Sequence, residues 1–208
     1  MSVQTEVYAP GTAQRRWSEM EGRFLNHVEL VYQPGERGLA AKLFQLLGYG
    51  VGDRGGRWLS FAVNGATQTD LSNNAVYASE IQPEQRRLQV ALESAAADPE
   101  VRAAYDALAE RRRQQPQVFP HFGLRLSEQA QADVIARIES LDDPELKDRV
   151  EVRVFRPGDP DSVTPAMIQA FVYSDIVSFA TSPFGMLMEL QVVVDEAAMY
   201  GEAAAPSS

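Results

Sequence analysis

From residue 26 the chain reads Asn-His-Val-Glu-Leu-Val-Tyr, and apolar and polar side chains take turns. Val28, Leu30 and Tyr32 fall on one side and His27, Glu29 and Val31 on the other, which predicts a half-buried strand ended by Gln33-Pro34-Gly35. The period then changes. Leu39, Leu43, Leu46 and Leu47 form one helical stripe that stops at Gly48, a natural C-terminal cap, so a helix is expected to pack on the apolar side of the strand. Short strands are expected at about 49–54, 57–63 and 75–82, separated by Gly- and Asn-rich turns. This first unit is β-α-β-β-β.

Residues 84–116 interrupt the pattern with two helical stretches. One starts at Pro83 or Glu84, and the other is capped by Asp98-Pro99 and carries Val101, Tyr105 and Leu108 as an apolar seam. The order then restarts: a strand from Phe119 sets Phe122, Leu124 and Leu126 opposite His121, Gly123 and Arg125. A helix over 127–141 follows with Val134, Ile135 and Ile138 inward, and strands are expected at 149–155, 167–179 and 186–194. The reading is an α+β fold of two β-α-β-β-β modules, 23–83 and 117–196, joined by the helical connector 84–116. Residues 1–22 are read as an arm whose Trp17 docks on the body, and 197–208 as a flexible tail.

The repeat matters because the chain has only two histidines among 208 residues, and they occupy the same station on the two first strands. At the fourth strands, Ser79-Glu80-Ile81-Gln82 answers Met188-Glu189-Leu190-Gln191. Alternation turns both imidazoles and both carboxylates away from the helix-covered sides, so His27, Glu80, His121 and Glu189 are expected to converge on one inner surface. Two imidazoles with two carboxylates suit a divalent first-row ion such as Zn, Ni, Fe or Co and leave positions for water or substrate. With no cysteine, a thiolate-bound structural zinc, a thiol nucleophile and a disulfide framework are all excluded.

Charge narrows the partners. Nineteen Lys and Arg against 29 Asp and Glu give a net charge of −10, which opposes nucleic acid and anionic lipid. The run Arg111-Arg112-Arg113 reads as the solvated cationic end of a helix. No apolar stretch suits a membrane span and no signal-peptide core is present, so a cytoplasmic protein with a small-molecule substrate is expected. Gly50-Val51-Gly52-Asp53-Arg54-Gly55 matches the G-x-G-x-x-G spacing, but it follows a helix and precedes a strand, the wrong context for a dinucleotide site. Arg125 on the inner face is expected to pair with Glu29 or to hold an acidic substrate. Phe171 and Tyr173 are expected to line the pocket, with core packing as the other reading.

Asn26-His27-Val28-Glu29-Leu30, Phe44-Gln45-Leu46-Leu47-Gly48-Tyr49, Pro120-His121-Phe122-Gly123-Leu124 and Ser182-Pro183-Phe184-Gly185-Met186-Leu187-Met188-Glu189-Leu190 together resemble the vicinal oxygen chelate superfamily. That superfamily includes glyoxalase I, extradiol dioxygenases, fosfomycin-resistance enzymes and bleomycin-binding proteins. The resemblance covers about 24–82 and 118–194. It implies a half-open barrel of two modules around a cleft, with a metal held by first and fourth strands, hence by His27, His121, Glu189 and Glu80. A glyoxalase-like lyase or isomerase would then use Glu189 or Glu80 to move a proton beside a Lewis-acid metal. An Fe(II) dioxygenase would use His27, His121 and Glu189 alone. Against ring cleavage of catechols, the chain lacks a third histidine and has Phe179 where those enzymes resemble one another in a Tyr. A metal-free binding protein using the same cleft is the reading from another class. The 84–115 hairpin is a candidate lid or homodimer contact.

Overall fold

The structure is a computed structural model that describes residues 27–68, 74–162, 164–179 and 185–195. Strand β1 (His27–Tyr32) leads to helix α1 (Arg37–Leu46), then β2 (Gly50–Gly52), β3 (Trp58–Ala62) and β4 (Ala75–Glu80). Helices α2 (Pro83–Ala95) and α3 (Pro99–Gln114) follow. The second half runs β5 (Phe122–Arg125), α4 (Glu128–Glu139), β6 (Val150–Phe155), β7 (Met167–Ser174), β8 (Val177–Ser178) and β9 (Met186–Val193). The sheets have strand orders β2-β3-β4-β1-β8 and β5-β9-β7-β6, and they do not close into a barrel. In both halves the first strand pairs in parallel with the last long one, β1 with β4 and β5 with β9. The fold is therefore α+β with a duplicated β-α-β-β-β order, as the alternation and the helical stripes predict.

Local chemistry explains the element ends. Helix α1 stops where Gly48 takes φ +89°, a conformation that costs glycine little. Asp98 accepts from the backbone N–H groups of Glu100 and Val101 to start α3, and Ser127 accepts from that of Ala130 to start α4. Ala40, Leu43 and Phe44 of α1 and Val134 and Ile138 of α4 are buried in one apolar cluster with Leu30, Phe61, Met186, Met188 and Leu190. Each sheet thus gives its Val/Leu/Met side to a shared core and leaves the opposite side, which carries His27 in the first half and Glu189 in the second, for chemistry.

Two expectations change. The strand expected over 167–179 breaks after Ser174, where Asp175 is gripped by Arg149 at 2.8 Å and Ser174 Oγ accepts from the Ile176 N–H. Val177 and Ser178 then cross over to pair antiparallel with Tyr32 and Val31 of β1. The expected seam of α3 is not buried: Val101 and Leu108 are each 43% exposed, and neither α2 nor α3 has a buried residue. Arg112 of the expected solvated run instead anchors the helix, donating to the Met186 carbonyl at 3.0 Å with its guanidinium over the Tyr173 ring. The arm 1–22, Trp17 and the tail 197–208 lie outside the described residues. Among those described, no helix is long and apolar enough to cross a membrane.

Candidate functional site

Strand pairing sets the odd-numbered residues of the second half in rows across the sheet. Gly123, Glu189, Phe171 and Arg153 are level on β5, β9, β7 and β6, and Arg125, Gln191, Gln169 and Phe155 form the next row. His121 stands just before β5, two residues ahead of Gly123. Its Nδ1 donates to the Phe119 carbonyl at 2.7 Å, and its Nε2 lies 3.1 Å from Glu189 Oε2. Because a carbonyl can only accept, a neutral His121 turns its Nε2 lone pair toward the carboxylate. Glu189 is 2% exposed, and its other oxygen accepts from Gln169 Nε2. Phe171 meets the His121 ring edge-on at 5.5 Å and packs with Phe155, Tyr173 and Phe119, so the pair has an apolar wall.

Three features of this pair fit a cation. A hydrogen bond from Nδ1 to a backbone carbonyl is the usual way a metal-ligating imidazole is oriented. The Gln169 Oε1 atom is buried with no hydrogen-bond partner among the described residues. Gly123, level with Glu189 on β5, puts no side chain against the carboxylate, where a Cβ would stand 3.5 Å from Oε2. The donor set is nevertheless small. Among the described residues no three His, Asp or Glu side chains gather as a metal-ligand group.

The first half shows why. Its corresponding row is Glu29, Tyr77, Ser60 and Gly52 on β1, β4, β3 and β2, with His27 two residues before Glu29. His27 and His121 do hold equivalent stations. Tyr77, not Glu80, stands at the station of Glu189. Glu80 is level with Tyr32, three residues further along β4 and of opposite parity, so it lies toward the helix-covered side at the strand end. It is exposed in a cleft with Tyr32, Arg37 and Arg86. The structure therefore brings His121, Glu189 and Phe171 together and does not bring Glu80 to them.

The other expected residues are placed as follows. Tyr173 donates its hydroxyl to the Arg112 carbonyl of α3, and burial holds that phenol up at about 12. Arg125 is exposed, level with Gln191, while Glu29 accepts from Trp58 Nε1 at 3.0 Å. Gly50–Gly52 forms the hairpin strand β2, with Asp53 beyond it on Arg37 at 2.6 Å, so the glycine motif is a turn. Phe179 meets Phe122 edge-on at 5.9 Å. Gln169, Trp58 and Tyr77 were not anticipated as site residues, although Gln169 is two positions before Phe171 and period-two counting puts both on one face.

No family model matches the chain, and no curated protein matches it. Solved structures do. One, described as a glyoxalase family protein from Bacillus anthracis, is 11% identical, with 84% of this chain and 98% of that one covered at a TM-score of 0.43. Another, described as a glyoxalase/bleomycin resistance protein/dioxygenase from Nocardioides, is 12% identical, with 85% and 87% covered at a TM-score of 0.36.

Proposed function

We propose that the chain is a divalent-metal enzyme of the glyoxalase-like type, with His121 and Glu189 as its protein ligands. The observation that carries this reading is the pairing of His121 Nε2 with Glu189 Oε2 at 3.1 Å, each group held from behind by a hydrogen bond to a neighbour. A bound divalent ion supplies Lewis-acid polarisation of substrate oxygens. The protein's part is to orient the imidazole through Phe119, to hold the carboxylate through Gln169, and to exclude water with Phe171 and Phe155. Glu189, faced across the β5–β9 pair by the side-chain-free Gly123, is the carboxylate suited to hold a proton taken from the substrate. A dioxygenase reading would add His27 as third ligand, and the described residues do not gather it with the pair.

The test is metal analysis of protein purified without a metal-affinity tag, with thermal unfolding before and after chelation. A stoichiometric divalent ion and a lower unfolding temperature on chelation are expected. His121→Ala and Glu189→Gln abolish both effects, and Gln169→Leu weakens metal affinity about 10- to 100-fold. Metal-free protein whose unfolding is indifferent to metal and chelator overturns the reading. It would leave the metal-free binding protein, which the two-donor set favours.

A further inference from the structure

The two halves carry the same rows with different side chains. Where the second sheet has Phe171 and Arg153, the first has Ser60 and Gly52, and where the second has Glu189, the first has Tyr77. Two large side chains are thus exchanged for a hydroxymethyl group and a hydrogen. The space they vacate is a cavity of about 410 Å³ lined by His27, Glu29, Gly52, Trp58, Ser60 and Tyr77, with Arg54 at its rim. That is within the size range of small-molecule sites.

Its walls are aromatic and held in place. Trp58 stands at the station of Gln169 and is 53% exposed, an unfavourable position for an indole that serves only packing. Two contacts fix it: Nε1 donates to Glu29, and the Arg57 guanidinium lies over the ring at 5.4 Å. His27 and Tyr77 stack obliquely with centroids 5.4 Å apart, and Ser60 Oγ is tied to the Gly52 carbonyl at 3.1 Å. Aromatic walls held by their own contacts beside the small residues Ser60 and Gly52 accept a planar ring at little ordering cost. Glu29 is the one carboxylate among the described lining residues, and its oxygen not engaged by Trp58 offers an acceptor.

We infer that the first module carries a binding site of its own, separate from the His121–Glu189 pair, for a planar aromatic compound bearing a hydrogen-bond-donating group such as a protonated amine. The first half has the histidine at the same station as the second and a phenol where the second has the Glu189 carboxylate, which puts a stacking surface there.

The experiment is calorimetric titration of the full chain, in chelator, with tryptamine as probe and cyclohexylmethylamine as the non-aromatic amine of equal charge. Saturable binding of tryptamine alone is expected, about tenfold or more weaker in Trp58→Ala through lost stacking. Ser60→Phe refills the cavity as Phe171 does in the other half and is expected to abolish binding, with thermal unfolding checking that it folds. His121→Ala is expected to bind as the wild type does, whatever the fate of the metal reading. Equal binding of the two amines, no saturable binding, or wild-type affinity in either Trp58→Ala or Ser60→Phe overturns the proposal. So does a loss in His121→Ala, because the two sites would then be one.

Discussion

At the scale of single residues, the stations flanking Glu189 are set by backbone as much as by side chains. Gly185 enters β9 with φ +67°, and a Cβ there would lie 2.1 Å from the Ser174 carbonyl oxygen and 2.7 Å from the Asp175 Cα. Neither obstacle is the end of a flexible side chain, so the β7–β9 approach itself would have to open. Gly185→Ala is expected to destabilise the chain by about 2–4 kcal/mol, combining strain at positive φ with a backbone clash. Urea unfolding measures it, and a loss under about 0.5 kcal/mol would show that the turn relaxes freely. Gly123 is the contrast. A Cβ there meets Glu189 at ordinary contact distances of 3.5 and 3.8 Å, so neither strain nor a clash requires glycine at that position.

At the scale of elements, α3 is held to the second sheet by polar contacts in place of an apolar seam. Arg112 donates to the Met186 carbonyl, Tyr173 donates to the Arg112 carbonyl, and Arg153 donates to the Arg113 carbonyl. Burial holds the Arg112 guanidinium below its ordinary value, a sign that it has left water for these partners. Arg112→Ala is expected to cost about 1–3 kcal/mol and to speed amide exchange across 99–114, because a charged donor to buried carbonyls is lost. Arg111→Ala, on the exposed side of the same turn, should stay within about 0.5 kcal/mol. Equal exchange in the two variants would mean that Arg112 does not anchor the helix. Sequence periodicity could find α3 through Asp98-Pro99 but not its docking, since a carbonyl on a distant strand leaves no mark on the pattern. The same reason explains Glu80. Matching Glu-x-Gln on two fourth strands is a comparison of letters, whereas the station of Glu189 is set by which residue of β4 lies level with Glu29, and that residue is Tyr77. The equivalence of His27 and His121 was legible because both precede an unbroken alternation, which fixes their face and position without any knowledge of pairing.

At the scale of the whole chain, the two sheets stand on one core. The α1 and α4 stripes meet in it, Arg137 donates to the Leu46 carbonyl at 2.7 Å, Arg149 bridges Glu36 at 2.7 Å, and β8 carries the second half's chain onto the edge of β1. One half-buried ion pair and one side-chain hydrogen bond to a carbonyl are worth little beside an apolar cluster of this size, so the cluster must carry the coupling. Leu43 tests this: it is fully buried on α1, in the same cluster as Met186, Met188 and Leu190 of β9. Leu43→Ala is expected to cost about 2–5 kcal/mol, from lost transfer energy and the cavity left behind. If the core is shared, hydrogen exchange in that variant rises by the same free energy in β4 and β9, and Trp58 fluorescence and far-UV dichroism unfold at one midpoint. Protection lost in β4 but kept in β9 would mean that each half unfolds alone. The His121–Glu189 pair would then survive damage to the first half, whereas a shared core makes the geometry of that pair depend on α1, which belongs to the other half.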